Sequence, residues 1–334
     1  MPGGSAQKRP LSPTAGPEAR PAVRQKPCAD AAENTCLFCG SSVEEDGVKL
    51  CECRCACRGL VCCVPCLYKT GIGTLEMKRT GGSLVRCTIC KENFCDDVIR
   101  EVVAYSMSIA EALPPDDQAR INRELLNVDT LMQMKDLQAA RKLIQTLSSR
   151  YTECLGAEHA STVLLEFKLG LWHLRQSNFF EAMRTFVSVD AKQTTPSAPD
   201  QVDWLLNLLS TRGMLAVALS HMGLKSTGAA KHRYLDMAES TLFNVVRRLR
   251  SLVGPSDPRF VTHQSNFSTV LSLRHKALKT RMQKERFEVA TAATGYTVHL
   301  QGLLYGASDA RTKNTAARLS SMQARLAAAH ASLR

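Results

Sequence analysis

The chain has 334 residues and a mass of 36.6 kDa, length enough for two domains with a well-buried core in at least one of them. Its formal charge of +12 is local: about +2 falls in residues 1–33, about +1 in 34–100 and about +9 in 101–334, nearly all of the last from 225–286, so the sequence has one basic patch rather than a basic character throughout. No run of eighteen uncharged apolar residues occurs, so no transmembrane helix is expected.

Residues 1–33 carry Lys8, Arg9, Arg20, Arg24 and Lys26 among many prolines, with no apolar core of a secretory signal and with prolines that spoil a transit-peptide helix. A disordered N-terminal tail is expected there, and a cytoplasmic or nuclear protein is the default.

Of the 14 cysteines, twelve lie between Cys36 and Cys95, and Cys28 and Cys154 fall outside. The stretch CECRCACRGLVCCVPC, residues 51–66, holds seven of them. In a reducing compartment clustered thiols are metal ligands sooner than disulfides. The spacing Cys36-x2-Cys39, Cys55-x-Cys57, Cys63-x2-Cys66, Cys87-x2-Cys90 offers four close pairs, eight thiolates in all, enough for two closed tetrahedral zinc sites. An iron–sulfur cluster needs four such ligands and explains the set less well. Cys53 with Cys55 is an alternative second pair, and Cys62 an alternative to Cys63.

Around CACRG and CTICKENF the module, about residues 36–95, resembles the RING-CH (RING-variant) zinc finger. That resemblance implies an interleaved cross-brace with Cys36, Cys39, Cys63 and Cys66 on one Zn2+ ion and Cys55, Cys57, Cys87 and Cys90 on the other. Two departures stand out: Cys63 takes a position normally held by His, and the tryptophan common before the last ligand pair is missing. The resemblance also implies docking of a ubiquitin-conjugating enzyme on an apolar patch, for which Phe38, Leu67 and Ile89 are the candidates; the bland alternative is that Phe38 and Ile89 fill the small core between the zincs. Such a finger acts by proximity, with no nucleophile of its own.

From about residue 100, Gly and Pro thin out and apolar residues recur at helical spacing. Leu137/Ala140/Ile144, Phe179/Ala182/Phe186, Leu235/Ala238/Leu242 and Phe287/Ala290/Thr294 repeat one pattern at intervals of 42, 56 and 52 residues, which predicts a solenoid. The segment KLGLWHLRQSNFFEAMRTF, with Leu169, Gly170, Ala182 and Phe186, and the loop LGAEHAST at 155–162 resemble tetratricopeptide repeats of the kinesin-light-chain type. The loop decays to VGPSDPRFVT at 253–262 and YGASDARTKNT at 305–315, and TGAAKHR reads as an insertion. Gly156, Gly254 and Gly306 suit helix C-caps, and Asp257 and Asp309 suit the starts of the next helices.

Stacked helix pairs expose a long groove for peptides. His159, His173, His263 and His275 form no catalytic constellation and read as loop or surface residues; Trp172 and Trp204 read as packing residues and Cys154 as a small core residue. Arg247, Arg248 and Arg250, with Lys276, Lys279 and Arg286, form a basic stretch in which a solvated face is favoured over an acidic-peptide or nucleic-acid site, and the scarcity of aromatics disfavours nucleic acid further.

The expected fold class is therefore mainly α: a small two-zinc cross-brace finger followed by an α-helical tetratricopeptide-like solenoid. The expected division is a tail over 1–33, the finger over 34–97 and helical repeats over 98–334. The expected function is a zinc-dependent RING-type ubiquitin ligase or adaptor. Its finger would recruit the conjugating enzyme, and its repeats would hold a protein or peptide substrate, acidic where the basic stretch takes part. The alternative is a non-enzymatic zinc-finger and repeat scaffold for protein–protein interaction.

Overall fold

Helix boundaries follow local chemistry. The computed structural model describes residues 47–49, 61–66, 68, 96–193, 201–275 and 280–331. Among them, helices run in the order α1 (Asp96–Glu111), α2 (Gln118–Gln133), α3 (Leu137–Leu155), α4 (Ala160–Arg175), α5 (Phe179–Gln193), α6 (Gln201–Lys225), α7 (Gly228–Val253), α8 (Pro258–Arg274), α9 (Arg281–Tyr305) and α10 (Ala310–Ala331). Two short strands, β1 (Gly47–Lys49) and β2 (Val61–Cys63), pair antiparallel with Gly47 opposite Cys63.

The loops end one helix and start the next as the sequence leads one to expect. Gly156 and Gly254 close α3 and α7 at φ of 92° and 79°, a left-handed turn that costs glycine little, and Gly306 closes α9 in the same way. Three residues later the cap side chain accepts a backbone N–H: His159 Nδ1 from Ser161 at 3.2 Å, Asp257 from Arg259 at 2.8 Å and Asp309 from Arg311 at 2.8 Å. The guanidinium of Arg259 closes back on Asp257, and its hydrogen bond holds that carboxyl below the usual carboxylate range; Arg311 does the same to Asp309. Between α2 and α3, and between α4 and α5, the turn is tighter and passes through Lys135 and Ser177 at positive φ. The TGAAKHR insertion forms no separate loop: Thr227 is the N-cap and the rest lengthens α7 to 26 residues.

Consecutive helices from α1 to α10 pack on one another, and α2 also touches α4, α4 touches α6 and α6 touches α8. The even-numbered helices therefore form one layer, and α3, α5, α7 and α9 lie behind it. The recurring triplets all fall on this rear layer. Ala140, Ala182, Ala238 and Ala290 are each fully buried, as are Ile144, Phe186, Leu242 and Thr294 one turn on. A methyl at these positions lets the two helix backbones approach, and the larger partner fills the adjacent space.

Apolar clusters follow each other along the stack instead of merging into one core. Ile99, Val128, Ile144 and Leu165 belong to a cluster over α1–α4; Ala182, Phe186 and Ala218 to one over α4–α6; Leu206, Val245, Phe260 and Leu300 to one over α6–α9; Leu271, Phe287 and Met322 to one over α8–α10. Such a sequence of local cores is the physical character of a repeat stack.

Helix α6 contains Val202–Lys225, apolar and long enough to cross a membrane by length and composition, in contrast to the expectation from the sequence. Its apolar residues Leu206, Leu209, Ala216, Ala218 and Leu219 are spent on neighbouring helices.

At the amino-terminal end of the stack, Tyr68 is buried with its ring edge-on to Tyr105 of α1 at 5.5 Å, and its hydroxyl accepts from Arg123 Nε of α2 at 3.1 Å. One residue on, Glu124 is fully buried and satisfied: Arg120 Nε donates at 3.0 Å, Tyr151 Oη at 2.9 Å, and Arg150 also donates. Burial, and then the Glu124 charge, drive the Tyr151 phenol up. Cys154 corrects the sequence reading, since it is exposed on α3 and is not a core residue.

Close approach of helices is also visible at Gly170, where an added Cβ would stand 2.6 Å from the Phe186 ring, whereas at Gly302 it would meet nothing within 4 Å. Gly170→Ala is expected to cost about 1–3 kcal/mol through overpacking. Gly302→Ala is expected to be neutral or to stabilise by about 0.5–1 kcal/mol through helix propensity. Thermal and urea denaturation of the two variants measures the contrast.

Candidate partner-binding groove

Most of the residues that the sequence marks as metal ligands or as a docking patch, Cys36, Cys39, Cys55, Cys57, Cys87, Cys90, Phe38, Leu67 and Ile89, lie outside the described residues. Cys63 ends strand β2, and Cys66 is half-buried in a helical segment that follows it. Among the described residues no group of three or more His, Cys, Asp or Glu side chains is arranged to hold a metal ion. The describable functional surface is thus the face of the even helix layer.

Polar bridges hold that layer in register. Lys168 of α4 reaches Asp129 of α2 at 2.6 Å, and Arg175 of α4 donates to the Met132 carbonyl of α2. Glu166 of α4 accepts from Ser188 and Lys192 of α5, each at 2.6 Å, and Arg212 of α6 pairs with Asp190 of α5 at 2.7 Å. Arg274 of α8 pairs with Asp236 and Glu239 of α7, and His275 lies 3.4 Å from Glu239. Each of these cations has an acid or a carbonyl assigned to it.

The histidines and tryptophans divide by burial. His263 of α8 is 4% exposed and packs on the bare backbone of Gly213 in α6, where a Cβ would come within 2.1 Å of the imidazole. This corrects the surface reading of His263. Its Nδ1 is buried without a hydrogen-bond partner, and burial pushes the imidazole down to about 4. His173 is half-buried, and burial lowers it too. Trp172 is a packing residue as expected: it is buried, its indole N–H donates to the Leu137 carbonyl at 2.7 Å, and the Arg141 guanidinium lies over its ring. Trp204 is half-buried.

The basic stretch is less concentrated than its sequence implies. Arg259, Arg274 and Arg281 are each paired with acids, and Lys284 is buried, donating to the Ala329 carbonyl at 3.1 Å. Arg247, Arg248 and Arg250 are exposed on α7, and Arg286 is exposed on α9. Lys276 and Lys279 lie outside the described residues.

A different cationic region emerges in the even layer. Helices α8 and α10 contain no Asp or Glu at all, while α10 carries Arg311, Lys313, Arg318 and Arg325. Between them, closed at one end by the C-terminal turns of α9, is a cleft of about 250 Å³ lined by Thr262, Ser265, Asn266, Gln301, Asn314 and Arg311 among others. Arg311 is fixed by stacking on the Tyr305 ring at 3.5 Å and by its bonds to Asp309. One turn beyond the lining residue Thr315, Arg318 crosses to α8 and donates to Ser268 Oγ at 2.9 Å and to Thr269 Oγ1. Sequence reasoning missed this site, although the absence of acids from both helices was there to be read.

No family model and no curated protein sequence matches the chain. Solved structures similar to the helical part include a Podosopora anserina protein assigned as a kinesin light chain and built of nearly identical TPR-like repeats. It is 15% identical, covers 72% of this chain and 94% of its own, and has a TM-score of 0.41. Another is BtubC (BKLC) of P. vanneervenii, 14% identical over 68% of this chain and 90% of its own, with a TM-score of 0.44.

The His263 contact has a pH signature. Because the folded imidazole titrates near 4 and the unfolded one near 6.5, the unfolded chain binds the extra proton between those values. This contribution to stability is complete above about pH 6.5 and falls by about 3 kcal/mol on going down to about pH 4. Replacing His263 with Leu, which cannot protonate, is expected to flatten the urea-midpoint profile across that interval relative to the parent.

Proposed function

We propose that the chain is a protein-interaction scaffold whose even helix layer holds a protein or peptide partner. The observation that carries this is the layer itself: α2, α4, α6 and α8 touch in succession and present side chains of successive repeats along one surface. Stacked helix pairs with such a surface bind by contacts spread over several repeats, not by a single deep pocket. No hydrogen-bonded nucleophile–base pair occurs among the histidines of the described residues; the imidazoles that burial depresses, His173 and His263, lie in helix packing.

The finer reading is a RING-type ubiquitin ligase. In it the cysteine module recruits a ubiquitin-conjugating enzyme, and the helical layer presents the substrate. The support is the ordered set of four cysteine pairs, with Cys36, Cys39, Cys63 and Cys66 on one zinc ion and Cys55, Cys57, Cys87 and Cys90 on the other. The buried contact of Tyr68 with α1 and α2, two residues after Cys66, would hold the module against the first repeat. Ubiquitin would pass from the partner's cysteine to a substrate lysine without a covalent intermediate on this chain.

The test is ubiquitin-chain formation with a panel of conjugating enzymes, together with metal analysis. Two zinc ions per chain are expected, with chains formed by the parent protein and lost in Cys36→Ser and Cys87→Ser. A folded, two-zinc protein that forms no chains with any enzyme of the panel would leave the scaffold reading and end the ligase one.

A further inference from the structure

The cations of the helical layer are compensated with one exception. Lys168, Arg212 and Arg274 each face a carboxylate within 2.7 Å. Arg318 faces none: its guanidinium rests on two hydroxyls, its Nε is buried without a hydrogen-bond partner, and burial is the one influence that lowers it. A partly buried cation without a counter-charge is unfavourable, and an arriving anion relieves that cost.

The cleft beside Arg318 has further unused capacity. Gln301 is 5% exposed, yet its Oε1 is buried with no donor, while its Nε2 reaches Ser265 Oγ at 3.5 Å. Thr262 and Thr315 donate their protons to their own helices, to the carbonyls of Pro258 and Arg311, so they offer lone pairs and not protons. The amides of Asn266 and Asn314 line the same space. A ligand suited to it carries an anionic group for Arg318 and an N–H donor for Gln301.

We propose that the cleft between α8 and α10 is the acidic-peptide site of this chain. Arg318 pairs with a ligand carboxylate, and Gln301 Oε1 accepts a main-chain N–H of the same ligand. The proposal rests on the reading of the even layer as a partner-binding surface and names the chemistry of the partner. A nucleic-acid strand fits less well, because its phosphate oxygens bring acceptors toward Gln301 Oε1 and supply no N–H from the backbone. Ser268 and Thr269 do not need Arg318: each also donates to the Ser265 carbonyl, at 2.9 and 2.8 Å. Arg318 is therefore placed for a ligand and not for packing.

The experiment uses the full chain and fluorescence anisotropy with three labelled probes: a Glu/Gly peptide, its Gln/Gly counterpart and a single-stranded oligonucleotide. Binding of the Glu/Gly peptide alone is expected. Arg318→Met should weaken that binding at least about tenfold, as expected for loss of a charge-assisted bidentate contact. The peptide-free protein should then melt at the same or a higher temperature, because an uncompensated charge has been removed. Asn314→Asp, at an exposed position, is a second variant that keeps Arg318 and should weaken the peptide by repulsion. The proposal is overturned if the parent fails to bind the Glu/Gly peptide, if neither variant changes its affinity, or if Arg318→Met lowers the melting temperature without affecting binding. The same holds if the oligonucleotide binds and the peptide does not. A partner footprint on α2, α4 or α6 with no peptide binding at α8 and α10 would sink this proposal while leaving the scaffold reading intact.

Discussion

The close approach of one helix to the next, at positions where any side chain larger than a methyl group would not fit, is the constraint on which the rest of this molecule depends. Ala140, Ala182, Ala238 and Ala290 have no exposed surface, and Gly170 brings its backbone against the Phe186 ring. Close packing of this kind sets interaxial distance, and through it the spacing between successive pairs. Gly213 against His263 applies the same rule between α6 and α8, within the even layer. A methylene added at any of these points would propagate as a changed angle along the stack, because each pair meets only its neighbours.

Electrostatics then divides the layer into two halves. Toward the amino terminus, cations are neutralised in place by acids of adjacent helices, as in Lys168 with Asp129 and the Glu124 cluster with Arg120 and Arg150. These pairs register one helix against the next, and breaking one would leave a charge without compensation. Toward the carboxyl terminus, α8 and α10 supply cations, hydroxyls and amides but no acid. Packing needs the first arrangement; the second leaves Arg318 and Gln301 with capacity that the fold does not consume.

The sequence made some of this legible and withheld the rest for physical reasons. The triplets around Ala140, Ala182, Ala238 and Ala290 were readable because burial on a helix writes a local period. Gly156 with His159, Gly254 with Asp257 and Gly306 with Asp309 were readable because end-capping is likewise local. Cys154 and His263 were misjudged: which side of a helix is covered is decided by neighbours tens of residues away, and residue type carries only a weak prior. Arg318 was invisible for the same reason, since its companions Ser268 and Thr269 are some fifty residues earlier. The basic stretch at 225–286 looked like one patch in one dimension, but Arg274 turns to Glu239 and Arg247 stays exposed on the rear layer. The cysteine pairs remain a reading of spacing alone.

Hydrogen–deuterium exchange of the full chain, with and without a saturating glutamate-rich peptide, tests most directly whether the even layer is the binding face. The account predicts slowed exchange concentrated in α8 and α10, with α5 and α7 unchanged. Protection of α5 and α7 instead, or none in any helix under conditions where the peptide is bound, would contradict it.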